Sequence, residues 1–269
     1  PRNSGAPGAE ITYAASLGEV VVLDDKGLSL ADDLAGVFEI NGREYIRVVG
    51  LQVSNAGPYV NNAGIMVRYS NHITLRNNTT YQTQSSGIGV WDSQDIVIDG
   101  NKVQQAGLGG YQECITVAIS SNFEVMNNIV TGCEKEGITL KDGSHDGLVY
   151  RNRVERPRHV GIYVDAWDKH THNIRVFQNV VFGSQEKAGI VLASEQGGLL
   201  ESIRVENNLS YGNFTYGIEI SYCCSEQHPM NDLHIINNTL YRNGYDWETG
   251  AETGWGGGII HDNAQAQNV

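Results

Sequence analysis

Apolar and polar residues alternate in short runs along this chain, and the runs recur at a regular interval. Seven segments open on a glycine–isoleucine step or its equivalent: Gly64-Ile65, Gly87-Ile88, Cys114-Ile115, Gly137-Ile138, Gly161-Ile162, Gly189-Ile190 and Gly217-Ile218, with an eighth at Gly258-Ile259. Most continue as Ile-x-Val or Ile-x-Leu, the period-two pattern of a strand with one buried face. A second alternating run follows each and reaches an asparagine three residues after an inward apolar position: Asn78, Asn101, Asn128, Asn152, Asn179, Asn208 and Asn238. Asparagine tolerates the left-handed conformation of a tight turn and can bond to its equivalent one repeat away, so this column is read as structural.

A repeat of about 24 residues holding two short strands predicts an all-β solenoid, a single-stranded right-handed parallel β-helix of roughly 9–10 coils with an N-terminal cap. One domain spans 1–269. Residues 1–50 are expected to form the cap and first coils, and 51–269 the regular coils, with insertions near 104–113, 166–173, 194–202, 222–232 and 241–257. The last residues, Gln265 to Val269, fall in mid-repeat and predict a short C-terminal cap.

The 269 residues include 32 Gly and 5 Pro and carry a formal charge of −13, which argues against nucleic acid or an anionic membrane as partner. No apolar run is long enough to span a bilayer as a helix. A soluble monomer is expected, secreted or periplasmic, with its signal peptide outside this chain. Cys223 and Cys224 are adjacent, an arrangement that rarely bonds to itself. Cys114 stands where other coils have glycine; it and Cys133 are read as small buried residues, with a disulfide as the alternative.

The repeat resembles the right-handed parallel β-helix proteins, the pectate- and alginate-lyase-like carbohydrate-active ones in particular. The opening Gly5-Ala-Pro7-Gly-Ala-Glu-Ile11-Thr-Tyr-Ala-Ala-Ser-Leu-Gly18-Glu is similar to the first coil of bacterial polysaccharide lyases of that fold. The likeness covers nearly the whole chain. It implies the fold and an acidic polysaccharide or oligosaccharide partner, while lyases, glycosidases, epimerases and phage tailspikes share the architecture.

From the start of the first strand to the ladder asparagine, the coils lengthen from 14 residues to 21 toward the C-terminal half. Insertions therefore flank the first strand on both sides, which predicts the walls of a cleft on that face. Its outward positions form two columns, Met66, Gly89, Thr116, Thr139, Tyr163, Val191, Glu219 and Arg68, Trp91, Ala118, Lys141, Asp165, Ala193, Ser221, with Lys141 and Asp165 as stacked neighbours.

Abstracting the proton beside a uronate carboxylate needs a base and a group that neutralises the developing charge. Lys141 is the candidate base, with Asp165 beside it and His145 as a proton-transfer partner. Asp142, Asp165 and Asp168 are oxygen donors of the kind that Ca²⁺ takes. Arg68 and Lys169 are candidates for holding substrate carboxylates, Trp91 and Tyr163 for stacking on sugar rings, and His170 and Glu219 for further substrate contacts. Asp168-Lys-His170-Thr-His172 also places two imidazoles at i and i+2, a spacing open to a transition metal, although a solvent-facing turn or substrate contact weighs more.

The leading expectation is thus a polysaccharide lyase acting by β-elimination. Three alternatives stand beside it. Lys141 and Asp165 would form a plain surface ion pair; Asp165 and Glu219, two coils and about 9–10 Å apart, would serve as the carboxylates of a hydrolase; or Trp91, Tyr163 and Tyr222 would form the platform of a non-catalytic carbohydrate-binding β-helix.

Overall fold

The computed structural model describes residues 1–30, 32–221 and 227–269. The chain winds as a right-handed solenoid of parallel strands. Each circuit contributes one strand to each of three sheets, which hold ten, nine and nine strands. The ten-stranded sheet runs from Ile11–Ala14 to Ala266–Gln267, the second from Val21–Asp24 to Thr239–Tyr241, and the third from Gly36–Asn41 to Gly257–His261. The strands between Ile11 and Ser54 already belong to the three sheets. Among the described residues no helix is long and apolar enough to cross a membrane.

The two strands read from each repeat lie in the third and the ten-stranded sheets, in the expected register. A third strand of three residues follows each ladder asparagine, as in Lys102–Gln104, Ile129–Thr131 and Arg153–Glu155. It holds one inward residue, here Val103, Val130 and Val154, so it shows no alternation in the sequence. Two expected insertions are shorter than 166–173 and 194–202, because strands His170–Phe177 and Leu199–Glu206 of the ten-stranded sheet begin inside them.

Inward residues of all three sheets close one continuous core, with Ile65, Ile88, Ile115, Ile138, Ile162, Ile190 and Ile218 fully buried in a single column. The glycine before each isoleucine is a steric requirement. A Cβ at Gly137 would lie 2.4 Å from Val154 Cγ1, and one at Gly161 would lie 2.1 Å from Val181 Cγ1. Cys114, in this same column, is buried like Cys133 and joined to it, so both are small buried residues as expected and the disulfide offered as the alternative is the one that forms. Cys133 follows the three-residue strand that packs against the column. Cys223, Cys224 and Tyr222 lie outside the described residues.

The asparagine ladder forms as expected. Asn101 Nδ2 donates to Asn128 Oδ1 at 3.0 Å, and Asn128 Nδ2 donates in turn to Asn152 Oδ1 at 2.9 Å. Each Oδ1 also accepts a backbone N–H from the preceding coil, and each Nδ2 also reaches a carbonyl such as Ile98 O at 2.9 Å. The left-handed residue is, however, the one before the ladder position, Asn77, Asn127, Arg151 and Gln178 among them, and not the ladder asparagine itself. A parallel device closes the turn out of the third sheet. Ser70, Ser93 and Ser120 each donate a backbone N–H to the hydroxyl of the next coil's serine at 3.1–3.2 Å.

Two stability effects follow. Asn128→Ala leaves buried groups of three coils unpaired and should cost about 2–4 kcal/mol in urea unfolding, against about 1 kcal/mol or less for the exposed Asn127→Ala. A loss below 1 kcal/mol for Asn128→Ala would show that the ladder is dispensable. Cys133→Ser should cost about 3 kcal/mol, the chain-entropy value for a cross-link of this span.

Candidate active site

The third sheet presents the predicted columns in order: Gly89 pairs with Thr116, Thr116 with Thr139, Thr139 with Tyr163, and Tyr163 with Val191. Most of the first column is nevertheless buried, Met66, Thr116, Thr139 and Val191 among it. At the end of the insertion before Cys114, Glu113 Oε2 accepts a hydrogen bond from Thr116 Oγ1 at 2.7 Å, and a cleft of about 310 Å³ opens beside it. Five sequence-predicted residues line it, Trp91, Lys141, Asp142, Tyr163 and Asp165, together with Gln112, Glu113, Lys135, Glu136, Glu195 and the aromatic rims Tyr111 and Trp167.

Lys141 ends strand Ile138–Lys141, and its Nζ lies 2.9 Å from Glu113 Oε1, 3.2 Å from Gln112 Oε1 and 5.6 Å from the centre of the Trp91 ring. Its ion-pair partner is therefore Glu113. No Lys141–Asp165 pair forms, which corrects that alternative. Burial alone would lower the Lys141 pKa, but the Glu113 carboxylate, with Asp142 and Glu136 behind it, outweighs burial and raises it. The ammonium is held charged.

Asp165 ends strand Ile162–Asp165 and is 2% exposed, with no hydrogen-bond partner for Oδ1. Burial, reinforced by the negative charge of Glu195, pushes its pKa up to about 8, against a hydrogen bond from the Trp167 backbone. Such a carboxyl is neutral at neutral pH and ionises just above it. The Tyr163 hydroxyl donates to Glu195, and burial together with Asp165 and Glu195 lifts its pKa well above the ordinary tyrosine value. Asp142 takes the left-handed turn position, φ 57°, and burial raises its pKa as well. Glu136 is lowered despite burial, because His159 hydrogen-bonds to it and Lys135 is close.

The remaining predicted residues lie elsewhere. Arg68 pairs with Glu39 in an adjoining depression of about 230 Å³ that shares Trp91 and Gln112 with the cleft. Asp168 and Lys169 form an exposed pair with each other at 2.9 Å. Glu219 stacks on Val191, one coil beyond Tyr163, and does not line the cleft. His145 and His170 belong to the ten-stranded sheet, where His145 stacks on His172 and His170 reaches Glu201. Asp142, Asp165 and Asp168 do not converge. Among the described residues the one group of three or more metal-binding side chains with ligand atoms within 4.8 Å of one another is His145, Asp146 and His172.

Glu113, Glu136 and Glu195 were missed because they sit in turns, whose paths alternation does not predict. One signal was available: Glu113 and Glu136 occupy the same position on adjacent coils, immediately before the glycine-column residue.

A protein-family model described as a right-handed β-helix region matches residues 35–200. No curated protein sequence matches the chain. Among solved structures, an alginate lyase from Paenibacillus sp. str. FPU-7 is similar at 14% identity and a TM-score of 0.59, covering 97% of this chain and 86% of its own. A mutant of a periplasmic alginate epimerase is similar at 12% identity and a TM-score of 0.57, covering 83% of this chain, which spans 60% of the epimerase's length. An exopolygalacturonase from Thermotoga maritima is similar at 14% identity and a TM-score of 0.57, with 76% of this chain and 50% of its own covered. At these identities the likeness is one of fold. With more than half its length matched by the family model, the chain belongs to the right-handed β-helix family.

Proposed function

We propose that this protein is a polysaccharide lyase that cleaves an acidic, uronate-containing polysaccharide by β-elimination in the cleft around Lys141 and Asp165. The observation that carries the reading is the buried Asp165 carboxyl, with no partner for Oδ1 and a pKa of about 8, lining the same cleft as a lysine held charged by Glu113. Lys141, kept protonated by Glu113, has no lone pair to offer and serves as the cation that neutralises the substrate carboxylate rather than as the base. Asp165 in its ionised form takes the proton beside that carboxylate, the electron pair forms the new C=C bond, and the glycosidic C–O bond breaks. Tyr163, still protonated because its pKa is so high, donates a proton to the departing oxygen. Trp91 and Trp167 supply faces for sugar rings.

The negative charge of the cleft is reduced where Glu136 lies beside Lys135 and His159, where Asp165 holds its proton, and where Lys141 stands between Glu113 and the position of the substrate carboxylate. The expected Ca²⁺ ligands do not converge, so no step is routed through a metal. The Cys114–Cys133 disulfide fits an oxidising compartment, and we place the protein outside the cell or in a periplasm, acting as a monomer. The likeness to an alginate lyase across nearly the full length of both chains supports the reading.

One observation favours hydrolysis instead. A protonated Asp165 beside ionised carboxylates is also an acid–base pair, with Glu195 in the place assigned from the sequence to Glu219.

The pH profile separates the two. Elimination uses ionised Asp165, so ultraviolet absorbance of an unsaturated product from uronate polymers should rise as pH increases through about 8 and persist in EDTA. Asp165→Asn and Lys141→Gln should each lower the rate by about 10²–10³-fold. New reducing ends without that absorbance, at a rate falling above pH 8, would establish hydrolysis. Binding with neither product would establish a carbohydrate-binding module, and loss in EDTA with rescue by Ca²⁺ would give neutralisation to a metal.

The same carboxyl links stability to pH. Its folded pKa of about 8 exceeds the ordinary aspartate value of 3.8, so between these pH values the native state holds more protons than the unfolded state and stability falls as pH rises. Asp165→Asn removes this slope. Its Tm relative to wild type should therefore climb between pH 5 and pH 9, and a constant difference would refute the raised pKa.

A further inference from the structure

On the ten-stranded sheet, outside the cleft, three imidazoles gather on two adjacent coils. His145 and His172 are register partners, with ring centroids 4.7 Å apart and planes within 5°. His170, two residues before His172 on the same strand, places its ring 4.3 Å from that of His172. Carboxylates already hold two of the three rings: His145 Nδ1 lies 2.8 Å from Asp146 Oδ2, and His170 Nε2 lies 3.1 Å from Glu201 Oε2. These carboxylates are themselves oriented, since Asn173 Nδ2 donates to Asp146 Oδ1 at 3.1 Å and Asn231 Nδ2 donates to Glu201 Oε1 at 2.9 Å.

A histidine whose one nitrogen is fixed by an oriented carboxylate has its other nitrogen free and more basic, the arrangement found around metal-bound imidazoles. Ligand atoms of His145, Asp146 and His172, on half-buried to exposed side chains, all lie within 4.8 Å of one another, and the His170 ring adjoins that of His172. Imidazole donors select zinc-class divalent ions over Ca²⁺.

We infer that His145, His170 and His172, with Asp146, bind a divalent transition-metal ion of the zinc class on the ten-stranded sheet, clamping two adjacent coils together. The inference is independent of the reaction in the cleft.

The test uses the full chain without a histidine tag, stripped with EDTA. Titration calorimetry with ZnCl₂ and with NiCl₂ should give one ion per chain, and thermal melts should shift upward with either ion and not with CaCl₂. His145→Gln and His172→Gln should each weaken Zn²⁺ binding at least tenfold while the far-ultraviolet circular dichroism stays that of wild type. Absence of Zn²⁺ and Ni²⁺ binding by the wild-type chain, or equal binding by the His145→Gln/His172→Gln double variant, would overturn the inference.

Discussion

Parallel strands bonded coil to coil oblige equivalent residues to sit directly over one another, about 4.8 Å apart, and everything else in this molecule answers to that constraint. It brings together residues some 24–30 positions apart in the chain, so a side chain must be compatible with its own kind one coil away. Asparagine meets the demand by having both a donor and an acceptor on one amide, and the ladder from Asn78 to Asn238 therefore satisfies its buried groups by repetition. Glycine meets it by having no side chain, which lets the three-residue strands press against the third sheet.

The same constraint explains the chemistry of the cleft. Stacking on a parallel sheet sets charged residues close together, and Lys141, Glu113 and Asp165 are there largely withdrawn from water. Lys141 and Glu113 respond by pairing, Tyr163 by donating its hydroxyl to Glu195, and Asp165, with no partner for one oxygen, by keeping its own proton. Each answer fixes a protonation state. Together they leave one group, Asp165, whose charge changes near neutrality.

How much of this was legible in the sequence follows from periodicity. Strands with two or more inward residues, such as Ile138–Lys141, announce themselves, and with them came the columns that correctly put Trp91, Lys141, Tyr163 and Asp165 on one face. Strands with one inward residue did not, so the sheet of three-residue strands was missed, and the Cys114–Cys133 link stood only as an alternative. Asp142 was readable as the residue just past a strand, whereas Glu113 and Glu195 depend on how insertions bend, which burial and not alternation decides. His145 was drawn into the site by its closeness in sequence to Lys141, but the turn at Asp142 and Gly143 carries it around a corner onto another sheet.

The Ser70–Ser93–Ser120–Ser144 turn beside the cleft has a consequence of its own. Because each hydroxyl accepts the N–H of the preceding coil's corner, the coils there are tied in register, and equivalent backbone positions on the cleft floor are separated along the axis by whole multiples of one coil. The floor is a ruler with fixed graduations. Lengthening or trimming a turn can deepen or open the walls above it, but the spacing at which successive units of a bound chain are read stays the same.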